Sequence, residues 1–152
     1  MADLIKVQSE DFNVAEEYQR LTQGNQQDGA VVFFVGLVRD FNQAQSIKSL
    51  TLEHYPAMTE KVLNKIVEQA RDKWPLGRIS VVHRVGTMQI GEQIVFVGVT
   101  SQHRQAAFEA GQFIMDILKT QAPFWKKEQT EQGDHWVDAK ESDQEQAKSW
   151  LK

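Results

Sequence analysis

The 152-residue sequence contains no cysteine. That absence excludes a disulfide framework, a thiolate zinc or iron–sulfur site, and a cysteine nucleophile or persulfide carrier on this chain. No stretch approaches the roughly 18 uninterrupted apolar residues that a membrane-spanning helix needs. The opening MADLIKVQSEDF lacks the basic start and apolar run of a secretory signal. A cytoplasmic protein without membrane contact is expected. Positive charge is not in excess either: 17 Lys and Arg stand against 21 Asp and Glu, for a net charge of −4. Phosphate backbones reward a basic face, which argues against a general nucleic-acid binder while leaving room for a local basic pocket. Phosphate-loop and dinucleotide-binding motifs are missing, and His54, His83, His103 and His135 show no metal-ligand spacing. Neither a metal nor a resident cofactor is expected. No repeat or low-complexity linker divides the chain, so residues 1–152 read as one domain with a polar tail at 129–152.

What is present is a succession of helical and alternating periods. Residues 4–7 suit a short edge strand, and 13–23 a helix with Val14, Ala15, Tyr18 and Leu21 at helical spacing. Residues 30–38 form a nearly continuous apolar run of β-branched and aromatic residues, which predicts a strand buried on both faces. Residues 47–55 alternate, with Leu50 and Leu52 to one side and Thr51 and Glu53 to the other. Pro56 opens a helix whose apolar stripe is Met58, Val62, Leu63, Ile66, Val67 and Ala70; Pro75 and Gly77 end it. Residues 79–85 and 94–100 read as two strands joined by a glycine-bounded hairpin loop over 86–92. Ser101 is the expected N-cap of a last helix reaching about Thr120, with Pro123 as its stop. Its apolar face is Ala106, Ala107, Ala110, Ile114, Ile117 and Leu118. Beyond Gln129 only Trp136, Val137, Trp150 and Leu151 can anchor the tail, which should be the least tightly packed part. The order predicts an α+β fold with a mostly antiparallel sheet and flanking helices.

Four places can carry chemistry. His103 and Arg104 open the last helix, where the macrodipole favours acidic residues; two cations there suit an anion site, or Arg104 makes an ion pair and His103 ends a strand. Lys119 shares a helix face with Met115, Gln112 and Phe108, away from the Ile114 stripe, although a last-turn lysine is also what the dipole prefers. Pro123-Phe124-Trp125-Lys126-Lys127-Glu128 sets two lysines on an aromatic platform. Such surroundings can tune a lysine for acid, base or nucleophilic work, or the segment is an amphipathic loop with solvated lysines. In Gly36-Leu37-Val38-Arg39 an apolar strand ends in an arginine suited either to bidentate phosphate binding or to plain solvation.

Taken in order, these segments resemble the large, catalytic subunits of molybdopterin synthase. The resemblance runs from about Gly29 to Trp136. It rests on Gly29-Ala30…Phe34-x-Gly36-x-Val38-Arg39, Leu52-Glu53-His54-Tyr55-x-x-Met58, His83-Arg84-x-Gly86 with Gly91-Glu92, Ser101-x-His103-Arg104, Asp116-x-x-Lys119 and Pro123-x-Trp125-Lys126-Lys127-Glu128. The resemblance implies an α/β-hammerhead type of fold. It also implies a homodimer in which each chain binds one small ubiquitin-like sulfur-carrier subunit, giving a heterotetramer. The carrier's C-terminal Gly-Gly thiocarboxylate would enter a pocket and deliver sulfur to cyclic pyranopterin monophosphate, two transfers building the dithiolene of molybdopterin. By position, Lys119 and Lys126 would be catalytic; Leu37, Val38, Arg39, His103, Arg104, Lys127 and Glu128 would join them in binding substrate or carrier terminus.

Both partners in that chemistry are anionic, and the six cations among these residues answer them within an acidic protein. The missing cysteines then become a constraint, because a chain that cannot relay a persulfide must receive sulfur already activated on a partner's terminus. Two other classes compete. A non-catalytic module docking a ubiquitin-like tail or a phosphorylated metabolite needs the cations but no tuned lysine. A single-stranded RNA binder using Trp125 and the lysines predicts steep salt dependence, against which the acidic total argues.

Overall fold

The computed structural model describes residues 3–39, 41–42, 45–121, 124–130, 133–137 and 150, with side chains described for 3–39, 49–121 and 150. The chain runs β1 (Leu4–Gln8), α1 (Val14–Thr22), β2 (Ala30–Leu37), β3 (Phe41–Asn42), β4 (Gln45–His54), α2 (Pro56–Lys73), β5 (Ile79–Arg84), β6 (Gly86–Gln89), β7 (Gln93–Ser101), α3 (Arg104–Gln121), β8 (Phe124–Thr130) and β9 (Gly133–Val137). Two sheets result. The first has the order β1-β5-β7-β2, parallel between β1 and β5 and antiparallel elsewhere. The second runs β3-β4-β8-β9, with β6 paired to β4. This is the expected α+β class with a mostly antiparallel sheet and flanking helices. Among the described residues no helix is long and apolar enough to cross a membrane.

Local chemistry accounts for the helices. Asn13 caps α1, its side-chain oxygen accepting from the Glu16 amide at 3.1 Å. Pro56 sits in the first turn of α2, where its missing N–H costs nothing. Helices α2 and α3 pack on each other, and α3 lies across β2 and β7. Their shared core holds Leu63, Ile66, Val67, Ala70, Val97, Val99, Ala110, Phe113, Ile114, Ile117 and Leu118. A small separate cluster of Val38, Leu50, Leu52 and Met88 sits between the sheets, and Ile94 packs against both cores.

Several expectations are corrected. The apolar run 30–38 is not buried on both faces: β2 is the edge of its sheet, and Phe33, Phe34 and Leu37 are 42%, 46% and 57% exposed. Met58 faces solvent at 58% exposure, and Thr59 takes the buried place in the stripe, donating its hydroxyl to the Tyr55 carbonyl at 2.8 Å. Ser101 does not cap α3; it is the last residue of β7, and its hydroxyl donates to the Pro75 carbonyl at 2.7 Å. Residues 86–92 are more than a loop, since β6 leaves the first sheet to pair with β4 in the second. Residues 124–130 form a strand rather than a loop. Pro123, Leu151 and most of the tail lie outside the described residues, but Trp150 is an anchor as expected, set edge-on against Trp74 and Phe113.

Candidate functional site

Three chain segments meet at one end of the first sheet. Beyond β2, Val38 is gripped by the turn before β7: its amide donates to the Glu92 carbonyl at 2.9 Å and its carbonyl accepts from the Gly91 amide at 2.7 Å. The Val38 side chain is buried with Leu50 and Leu52, which leaves the next residue, Arg39, exposed at the rim. On the second sheet, β8 runs beside β4 with Lys126 opposite Leu52, Lys127 opposite Thr51 and Glu128 opposite Leu50. The same small cluster thus backs the segment bearing Arg39 and the strand whose neighbour bears Lys126 and Glu128. Lys119 is exposed in the last turn of α3, five residues before β8 begins opposite His54.

The structure separates His103 and Arg104 from this group. At 1.5 Å per residue, α3 puts about 22 Å between Arg104 and Lys119. The strand beneath gives a similar length, about 23 Å from Ala30 to Leu37 at 3.3 Å per residue. Ala30 pairs with Ser101, and the Gly29 amide donates to the Ser101 carbonyl, so His103 and Arg104 stand at the opening of β2. From there α3 folds back over the sheet, Gly111 passing close to Val99 and Val32. Lys119, Leu37, Val38 and Arg39 therefore share one end of the layer, and the exposed pair His103 and Arg104 occupies the other.

Two further features shape the Lys119 end. Asp116, one turn earlier and buried, accepts from the Trp150 indole at 2.6 Å and the Gln112 amide at 2.8 Å. The turn that grips Val38 is itself tied to Arg84, whose buried guanidinium donates to the carbonyls of Ser9 and Gln93 and to the Glu92 carboxylate. Nearby, the Asp11 carboxyl is held below its ordinary range, chiefly by the Gln93 side-chain hydrogen bond. Sequence reasoning noticed His83-Arg84 and Gly91-Glu92 as motifs but gave them no task; an arginine ending a strand beside a Gly-Glu turn was the available signal. Among the described residues no group of three His, Asp or Glu is placed to hold a metal ion.

The MoaE protein family matches residues 7–121. The chain belongs to that family. The molybdopterin synthase catalytic subunit of Escherichia coli K12 is 60% identical over 146 residues, covering 96% of this chain and 97% of its own. Among solved structures, the molybdopterin biosynthesis MoaE protein of Burkholderia ambifaria superposes with a TM-score of 0.84 at 42% identity, covering 99% of both chains. A molybdopterin synthase structure from Staphylococcus aureus gives 0.80 at 36% identity, over 87% of this chain and 95% of that one. As a MoaE family member at this level of identity, the chain functions in molybdopterin synthesis as the catalytic-subunit component. The family match includes Arg39, His103, Arg104 and Lys119 and stops short of Lys126.

Proposed function

We propose that this chain is a cytoplasmic, single-domain sulfurtransferase subunit, free of metal and cofactor. It takes sulfur from the C-terminal Gly-Gly thiocarboxylate of a small ubiquitin-like carrier and places it on cyclic pyranopterin monophosphate. What carries the reading is that one small core joins the Arg39 segment to β4, the strand beside the one bearing Lys126, Lys127 and Glu128, while the Lys119 end of α3 lies at the same end of the first sheet and leads by a few residues into that strand. In each round a carbon–sulfur bond forms on the pterin as a carbon–oxygen bond at the same carbon breaks, the oxygen leaving as water or on the opened phosphate. The carrier's acyl–sulfur bond is cleaved with water, and the carrier leaves as a carboxylate. Two rounds build the dithiolene. Lys119 and Lys126 hold and polarise the thiocarboxylate and move the protons; Arg39, Lys127, Glu128 and the backbone at Leu37 and Val38 bind substrate or the carrier tail.

His103 and Arg104 enter this pocket from a second copy. A two-fold pairing that sets β2 antiparallel to its mate exchanges the two ends of the layer, bringing His103 and Arg104 of the partner subunit to the Lys119 end. The apolar edge of Phe33, Phe34 and Leu37, open in the single chain, supports such a pairing. With one carrier on each copy, the assembly is a heterotetramer.

The test is reconstitution with thiocarboxylated carrier and the pterin precursor, reading dithiolene formation. Product formation that disappears with Lys119→Ala, in a variant that melts normally, is the expected result. Carrier binding without product from the unaltered chain would instead make it a docking module.

A further inference from the structure

We infer that Arg84 and Glu92 are positioning residues for Arg39, acting through the turn that grips Val38. The inference rests on the reading of Arg39 as a ligand of an anionic substrate group. Arg39 follows the last residue of β2 by two positions and is exposed, so nothing in its own strand fixes its direction. The pairing of β2 with β7 also shifts register between Gly36 and Leu37, which loosens the ladder just before Arg39. What holds the segment is the pair of hydrogen bonds between Val38 and the backbone of Gly91 and Glu92.

That turn is built to be rigid. Gly91 has φ of +90°, a conformation that side chains resist. The Glu92 amide donates to the Gln89 carbonyl at 3.1 Å, and the Glu92 carboxylate accepts from the Gln89 amide, closing the turn from both sides. The other carboxylate oxygen receives Arg84 Nη1 at 3.3 Å. The arginine is in turn fixed by three bonds to main-chain carbonyls, two to Ser9 at 3.0 and 3.2 Å and one to Gln93 at 2.9 Å. Its side chain is only 8% exposed, and its planar fork leaves it one orientation. A buried arginine held at all three guanidinium nitrogens thus sets the carboxylate, the carboxylate sets the turn, and the turn sets Val38 and the starting point of Arg39. Because the Arg84 side of this pair is buried, loss of Glu92 also leaves a buried charge short of a partner, and melting curves separate that cost from the loss of direction.

The absence of cysteine makes a direct test possible, because Arg39→Cys accepts a single spin label. Label mobility is compared in Arg39→Cys and in Arg39→Cys/Glu92→Ala, each with a melting curve. Greater mobility in the double variant is expected, and unchanged mobility overturns the inference. Kinetics supply the functional arm. Glu92→Ala should raise KM for the pterin substrate about tenfold with kcat within about twofold, and Glu92→Gln, which keeps an acceptor for the Gln89 amide, should recover part of it. In the Arg39→Ala background Glu92→Ala should add no further rise in KM, because both changes act through one contact. Multiplying KM penalties, or a lowered melting temperature with KM unchanged, overturn the positioning role. An unchanged KM in Arg39→Ala alone together with a mobilised label overturns only the assignment of Arg39 as a substrate ligand. Arg84→Lys, which keeps the charge and loses the fork, guards against misfolding of Arg84→Ala and should mobilise the label in the same way.

Discussion

The two ends of α3 carry cations under opposite local rules. Lys119 lies in the last turn, where the helix dipole welcomes positive charge, and the turn before it is latched to the rest of the molecule through Asp116 and Trp150. Arg104 begins the helix, with His103 immediately before it, in the field that disfavours them. Local energetics therefore accounts for a lysine at 119 even in a protein that made no use of it. It does not account for an arginine at 104. The cation that helix physics explains least is the one whose presence most needs a ligand, and it stands about 22 Å from the other.

Four measurements break or sharpen this contrast. The largest effect is expected at the latched end: Lys119→Ala should lower dithiolene formation by at least about 100-fold, the scale of losing a general acid–base group. Its melting temperature should fall by no more than about 4 °C, and near-normal turnover would remove Lys119 from the chemistry. The second concerns whether both ends serve one pocket. Arg104→Ala chains should be impaired alone, but mixed with Lys119→Ala chains they should form dimers with one intact pocket of two, recovering about half the activity per mixed dimer. A mixture no better than its parents would place the two ends in separate functions. Third, Trp150→Phe keeps an aromatic ring against Trp74 and Phe113 but removes the indole donor to Asp116. The variant should lose about 1–3 kcal/mol in chemical denaturation, the cost of leaving a buried acceptor short of a partner; a change below the error of the measurement would mean the latch is dispensable. The smallest effect has opposite signs at the two ends. Arg104→Ala should stabilise the chain by about 0.3–1 kcal/mol and Lys119→Ala should destabilise it by a similar amount, both shrinking in salt.

Much of the fold was legible because short-range rules decide it. Asn13 and Pro56 mark helix starts by the chemistry of their own side chains, and the alternation of Leu50 and Leu52 with Thr51 and Glu53 appears in the structure as written. The failures come where a long-range neighbour decides. An apolar run looks the same whether it is the middle of a sheet or an edge awaiting a mate, so the pattern of residues 30–38 predicts burial on both faces where the structure has an edge. Met58 and Thr59 are both compatible with a stripe through Val62 and Leu63, and the neighbours that pack on α2 select Thr59. Strands β6 and β8 lack the alternation that would announce them. Of the candidate site, residue types were legible and grouping was not: Arg39 and Lys119 share one end of the layer, whereas spacing alone gave no reason to set His103 and Arg104 apart from them.

The four residues of β6 have a mechanical consequence. Between β5 and β7 the chain steps out of the first sheet, forms a ladder from Gly86 to Gln89 with Leu52 to Ser49 in the second, and steps back. It works as a rivet through both plates. Neither sheet can swing away from the other as a hinged flap without tearing that ladder, and Met88, fully buried, sits in the seam. On the proposed function, substrate and carrier tail would then reach the site along the exposed rim at Arg39 rather than through a gap that widens to admit them. Slow exchange of the β6 amides, undisturbed by turnover, is the signature of such a fixed frame.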